Sequence, residues 1–117
     1  MAVIQQNSLG IIDFSDEFLT NLAGVATMDC YGIVGMASQK AMDGIVELLR
    51  GENLSKGVKI TTQDGVVSIH LYVIVEYGVS ISAVASNVID TVKYRVEKFT
   101  GLTVKNVDVT VNGIRVE

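Results

Sequence analysis

Val66–Tyr77 reads VVSIHLYVIVEY, a run without Gly or Pro that is rich in β-branched and aromatic side chains. Such a composition suits a pleated strand. Alternation places Val67, Ile69, Leu71, Val73, Val75 and Tyr77 on one face, which is wholly apolar. Val66, Ser68, His70, Tyr72, Ile74 and Glu76 share the other face, which is half apolar. The pattern predicts a central strand, fully covered on one side and partly covered on the other.

Upstream, Val58–Thr62 is a second strand pattern, separated from the first by Gln63-Asp64-Gly65. An Asp-Gly pair between β-rich runs signals a hairpin. Downstream, Ser80 or Ser82 can cap a helix whose apolar stripe is Ile81, Val84, Ala85, Val88, Val92, Val96 and Phe99. Ser86, Asp90, Lys93, Glu97 and Lys98 form its wet face, and Gly101 stops it. Val104–Val111 reads as a last strand, with Val107, Val109 and Val111 opposite Asp108, Thr110 and Asn112.

The first half is less regular. Ile11–Phe14 is a short strand candidate, and Ser15 stands as N-cap before Asp16 and Glu17, carboxylates that suit a helix N-terminus. Phe18, Leu19, Leu22, Ala23 and Ala26 continue at helical spacing, so a helix is expected over Asp16–Met28. Gly24 inside it costs about 1 kcal/mol against Ala, which points to close backbone packing. Tyr31–Ala37 reads as a strand or bulged connector. Gln39–Arg50 returns to helical period through Met42, Ile45, Val46 and Leu49, with Gly51 in the C′ position.

The order is therefore β-α-(β)-α-β-β-α-β in one domain. The fold class expected is α+β, a small mixed and mainly antiparallel sheet with two to three helices packed on it. The chain has 117 residues, 49% of them hydrophobic, which supports one core and excludes intrinsic disorder. Mean hydropathy is +0.42, high for a small domain, so some apolar surface is expected to face a partner. A net charge of −4 argues against non-specific nucleic-acid binding. One cysteine cannot form an internal disulfide, which suits a reducing cytoplasm. Met1–Gly10 lacks a cationic start, the longest strictly apolar run is Leu71–Val75, and no lipidation signal occurs, so no direct membrane insertion is expected.

No catalytic constellation emerges, and no catalytic, cofactor-binding or metal-binding residue is assigned. His70 could act as base or ligand with Glu76, but six residues along a strand span about 20 Å. An ordinary strand histidine is the plainer reading. Cys30 follows Asp29 at a helix C-terminal end, the opposite of the setting that favours a thiolate, and is expected to be buried and structural. Phosphate-loop, dinucleotide and serine-nucleophile signatures are absent. Gly32-Ile33-Val34-Gly35 fits a GxxG spacing that in some folds clamps RNA, but its centre is apolar, and tight turns are expected instead. Arg50, Lys56 and Lys59 give a local positive bias offset by Glu52, and Asp43 and Glu47 share a helical face as like charges, not as an acid–base pair.

Several segments together carry a resemblance. They are GIIDFSDEFLTNLAG (Gly10–Gly24), DCYGIVGMAS (Asp29–Ser38), ENLSKGVKI (Glu52–Ile60), IHLYVIVEYGVSISAVASNVIDTVKYRVEKFTGL (Ile69–Leu102) and VNGIRV (Val111–Val116). The chain resembles the alkaline shock protein, or general stress protein, family of Gram-positive bacteria, in its small YloU-like branch. The resemblance covers almost the whole chain. It implies a small cytoplasmic α+β domain without established enzymatic activity, associated with alkaline and cell-envelope stress. It also implies self-assembly, tethering near the membrane by a separate anchor protein, and a genomic neighbour that is a fatty-acid kinase of the dihydroxyacetone-kinase type. It supplies no site residues.

Two functions are thus expected to compete. One is a non-enzymatic stress-response and envelope-homeostasis protein that forms a homo-oligomer. The other is a regulatory or adaptor partner of such a fatty-acid kinase. The lack of Pro leaves strand edges weakly guarded, with Lys105 and Asp108 as the charges on the last strand and little on Val58–Thr62.

Overall fold

A computed structural model describes residues 2–7, 10–38, 48–49 and 56–116. Strands β1 (Ala2–Asn7) and β2 (Gly10–Ser15) pair antiparallel as a two-stranded ribbon. Helix α1 (Asp16–Met28) follows at once, because the Ser15 hydroxyl accepts the Phe18 N–H and Asp16 and Glu17 occupy the first turn. Strand β1 lacks a local signature, because VIQQN offers no clean alternation.

Strands β3 (Ile33–Ala37), β4 (Leu48–Leu49), β5 (Val58–Gln63), β6 (Val66–Glu76) and β7 (Thr103–Arg115) make one mixed sheet, with helix α2 (Ile81–Thr100) between β6 and β7. The hairpin between β5 and β6 turns on Asp64 and Gly65, at φ +54° and +76°. Both central residues being left-handed is the turn whose twist matches that of the strands.

β6 is the centre of the sheet. One of its edges is shared end to end, Val66–Leu71 pairing antiparallel with β5 and Val73–Val75 pairing antiparallel with β3. Along its other edge runs β7, parallel, from Val66↔Thr103 to Glu76↔Arg115. Parallel neighbours need a crossover, and α2 provides it. The sheet is mixed and mainly antiparallel, as the sequence implied.

β7 is longer than the expected Val104–Val111. The register slips in a bulge at Asn112, and beyond it Ile114 pairs with Val75. β3 is bulged between Ile33 and Gly35, and of the GxxG spacing Gly32 lies in the preceding turn, at φ +86°, while Ile33–Gly35 lie in the strand. Of the helix expected over Gln39–Arg50, residues 39–47 and 50 lie outside the described residues. Leu48–Leu49 is instead a short strand against Met36–Ala37. A strand partner outweighs helical periodicity there, because it satisfies the backbone of the sheet edge.

The core lies between the helices and one face of the sheet. Leu19, Ala23 and Ala26 of α1 and Val84, Val88, Val92 and Val96 of α2 pack on Val67, Ile69, Leu71, Val73 and Val75. Each such large aliphatic side chain contributes about 1.5–3 kcal/mol of burial. Gly24 is buried in α1, in keeping with the close packing expected of it. The α2 stripe needs correction at its ends: Ile81 is 41% and Phe99 68% exposed, while Thr100 is buried. The buried line advances in steps of four residues, each rotating about 40°, so it slants across the helix and leaves the two end positions off it, on opposite sides. Phe18 of α1 is likewise exposed.

The termini of α2 are locked. Ser80 caps its start and Gly101, at φ +73°, ends it. The Glu97 carboxylate then accepts the Val104 N–H, fastening the helix to the start of β7. Asp29, at the C-terminus of α1, pairs with Arg95 of α2. A carboxylate there opposes the helix dipole, and the guanidinium relieves it.

Gly32 and Gly65 both have positive φ, but a Cβ on Gly32 would sit 2.7 Å from Val84 Cγ2, whereas one on Gly65 would meet open space. Gly65→Ala should therefore cost about 1–2 kcal/mol for backbone conformation alone. Gly32→Ala should cost about 1–3 kcal/mol beyond that for overpacking. Urea unfolding of the two variants measures the difference, and equal losses would refute the packing assignment.

Candidate functional site

The helices cover one face of the sheet, and the side chains with chemistry gather on the other. Register sets them in rows. Lys59 of β5, His70 of β6 and Asp108 of β7 form one row, and Thr61, Ser68 and Asn106 form the next. Alternation dictates this, since residues i and i+2 of a strand share a face and paired residues share it across strands.

The rows are tied by hydrogen bonds. Ser68 Oγ donates to Asn106 Oδ1 at 3.0 Å, and Asn106 Nδ2 donates to Asp108 Oδ2 at 2.8 Å. His70 Nε2 meets Thr110 Oγ1 at 2.6 Å. The His70 ring stacks on Tyr72, with centroids 4.5 Å apart and planes 8° from parallel. Two adjoining open depressions run over this surface, of about 480 and 150 Å³, and both include Thr61 and Ser68. Towards the other end of β6 the same face turns apolar, where Ile74, Val34 and Ala37 are buried and Tyr72 packs against them.

This geometry speaks to the residues singled out in the sequence. His70 is half buried and engaged with Thr110. The Ser68 hydroxyl donates to an amide oxygen, not to the imidazole. Glu76 is exposed at the far end of β6. Among the described residues no three His, Cys, Asp or Glu side chains converge as metal ligands would. Cys30 is buried in the main core, its Sγ 3.4 Å from the Ala26 carbonyl. Lys56 and Lys59 are exposed, while Asp43, Glu47, Arg50 and Glu52 lie outside the described residues. Sequence reasoning missed the pairing of Asn106 and Thr110 with Ser68 and His70. Their polar alternation was visible, but only the parallel register of β7 brings them to β6.

A second feature lies at the start of α2. An open notch of about 440 Å³, with more apolar than polar surface, is lined by residues including Tyr31, Val79, Ala83 and Val84. Tyr31 and Tyr77 are 73% and 72% exposed. No helix among the described residues is long and apolar enough to cross a membrane.

A family model for the alkaline shock protein 23 family, described as of cell envelope-related function, matches residues 4–116. The chain belongs to this alkaline shock protein family. It is 45% identical over 117 residues to the uncharacterized protein YloU of Bacillus subtilis, covering 99% of this chain and 98% of that one. It is 39% identical over 108 residues to the uncharacterized protein Spy1614 of Streptococcus pyogenes, covering 92% and 89%. No solved structure matches. The resemblance seen in the separate segments thus extends over the whole domain, and with it comes a cell-envelope-related function.

The amide of Asn106 bridges Ser68 and Asp108, so Asn106→Ala should remove two hydrogen bonds and cost about 1–2 kcal/mol, read by chemical denaturation. A neutral result would mean that water replaces the amide without loss. The Cys30 thiol should react with Ellman's reagent only as the domain opens, and stoichiometric labelling on mixing would contradict its burial.

Proposed function

We propose that this member of the alkaline shock protein family is a non-enzymatic, cytoplasmic stress-response and envelope-homeostasis protein that works by self-association and by contacts with other proteins. The observation that carries this reading is where the apolar surplus goes. Tyr31, Tyr77, Ile81, Tyr94 and Phe99 remain exposed. Such surface marks protein contact more than catalysis. The open face supports the same reading. Its depressions are open, and the Ser68 and Thr110 hydroxyls and the Asn106 amide are already engaged with neighbouring side chains. A catalytic site would hold such groups away from water and aimed at a substrate. Contact with the membrane would then run through a partner, such as a separate anchor protein.

A second reading has the chain as regulatory or adaptor partner of a fatty-acid kinase of the dihydroxyacetone-kinase type. The apolar notch beside Tyr31 and Val79 favours it, since a partner's apolar side chain or acyl group would fit there.

Affinity purification of the tagged full chain from its native cell, under mild conditions, tests both. The first reading expects untagged copies of the chain together with envelope-associated protein. The second expects the kinase in comparable amount. Sedimentation showing only a 12.6 kDa species at high concentration would overturn self-association.

A further inference from the structure

We propose that the outer edge of β7 is a self-recognition surface, where two copies of the chain join antiparallel about Val109 into one continuous sheet. This rests on the self-association proposed above and gives it a location.

β7 is hydrogen-bonded to β6 along one edge, and among the described residues no strand occupies the other. Its register slips at Lys105 and at Asn112, and between these bulges Asn106–Val111 is regular. A long, regular edge without Pro is a template for another strand.

The sequence of this edge identifies the occupant. Asn106–Asn112 reads NVDVTVN, nearly the same from either end. Antiparallel pairing about Val109 sets Val107 opposite Val111, Asn106 opposite Asn112, and Asp108 opposite Thr110. The one charged side chain of the stretch meets a hydroxyl, so no like charges face each other. Such a contact is isologous and closes as a two-fold dimer. Burial points to the same place: Val104 and Val107 are buried, whereas Val109 and Val111 are only half buried. The apolar layer is thus left open where the two-fold axis would fall. The opposite rim is less suited. β5 is six residues long against thirteen for β7, and its sequence, VKITTQ, does not read alike from both ends.

Single-cysteine versions of the full chain test the pairing, with Cys30→Ala as background. Val109→Cys should form a disulfide-linked dimer under mild oxidation, because facing residues of an antiparallel pair lie within disulfide reach. Lys105→Cys should not, its two copies being about 27 Å apart by strand rise. Thr110→Lys and Thr110→Asp both lose the His70 contact, but they place opposite and like charge against Asp108 of the second copy, twice per dimer. The Asp variant should dissociate about tenfold more readily than the Lys variant in sedimentation equilibrium. If Thr110→Asp does not fold, the Val109→Cys result decides.

A monomer at every concentration, with no cross-link, overturns both this proposal and self-association. An assembly in which Val109→Cys fails to cross-link overturns edge pairing alone, and so does one in which the two Thr110 variants dissociate alike. Either of these leaves self-association through another surface.

Discussion

Everything in this fold depends on β6 finding partners for both edges and a cover for one face. Its eleven residues pair with β5, β3 and β7, so three separate parts of the chain converge on one strand. An interior strand leaves no backbone group to water, and burying any of them unpaired would cost on the order of 1–3 kcal/mol. The two antiparallel partners arrive from the N-terminal side of the sequence. The parallel partner can arrive only after a crossover, which is why α2 is long, firmly capped and stopped by a left-handed glycine. The helix that closes the core is therefore also the connection that closes the sheet.

Much of this could be read from the sequence because the decisive signals were local. The Asp64-Gly65 turn, the Ser15 and Ser80 caps, the Gly101 stop and the two faces of β6 each follow from a few adjacent residues. What could not be read depended on distant pairing. The strand pattern of β7 reads as ending at Val111, yet β6 runs on beside it and draws the strand through a bulge at Asn112 to Arg115. Ile81 and Phe99 belong to the apolar stripe by period, yet the slant of the packed line leaves them exposed. Leu48–Leu49 fits helical period, yet it lies against Met36 and Ala37 as a strand.

The open face shows the same division. Ser68 and His70 could be placed on the half-polar side of β6 from alternation alone. Asn106, Asp108 and Thr110 could be placed on one side of the last strand in the same way. That these two sets meet depends on β7 being parallel to β6 and on the bulge at Lys105, neither of which has a local signature. The meeting sets the surroundings of His70. Its imidazole lies 2.6 Å from the Thr110 hydroxyl and stacks on Tyr72, beside a serine bonded to an amide.

That arrangement also bears on the register of the sheet. A strand with one wholly apolar face and another that is half apolar has little to set its alignment, because sliding a neighbour by two residues exchanges one valine for another. β7 is especially exposed to this error, since Val107, Val109 and Val111 are interchangeable against Ile69, Leu71 and Val73. The polar residues of the open face are not interchangeable. Ser68 needs Asn106, and His70 needs Thr110, and a two-residue slip would set each against the wrong partner. The Glu97 carboxylate on the Val104 N–H fixes the origin of the strand independently. The hydrophobic face thus supplies most of the stability while the polar face selects which alignment is stabilised. A chain this apolar keeps a histidine, a serine and an asparagine at its centre because they make that selection.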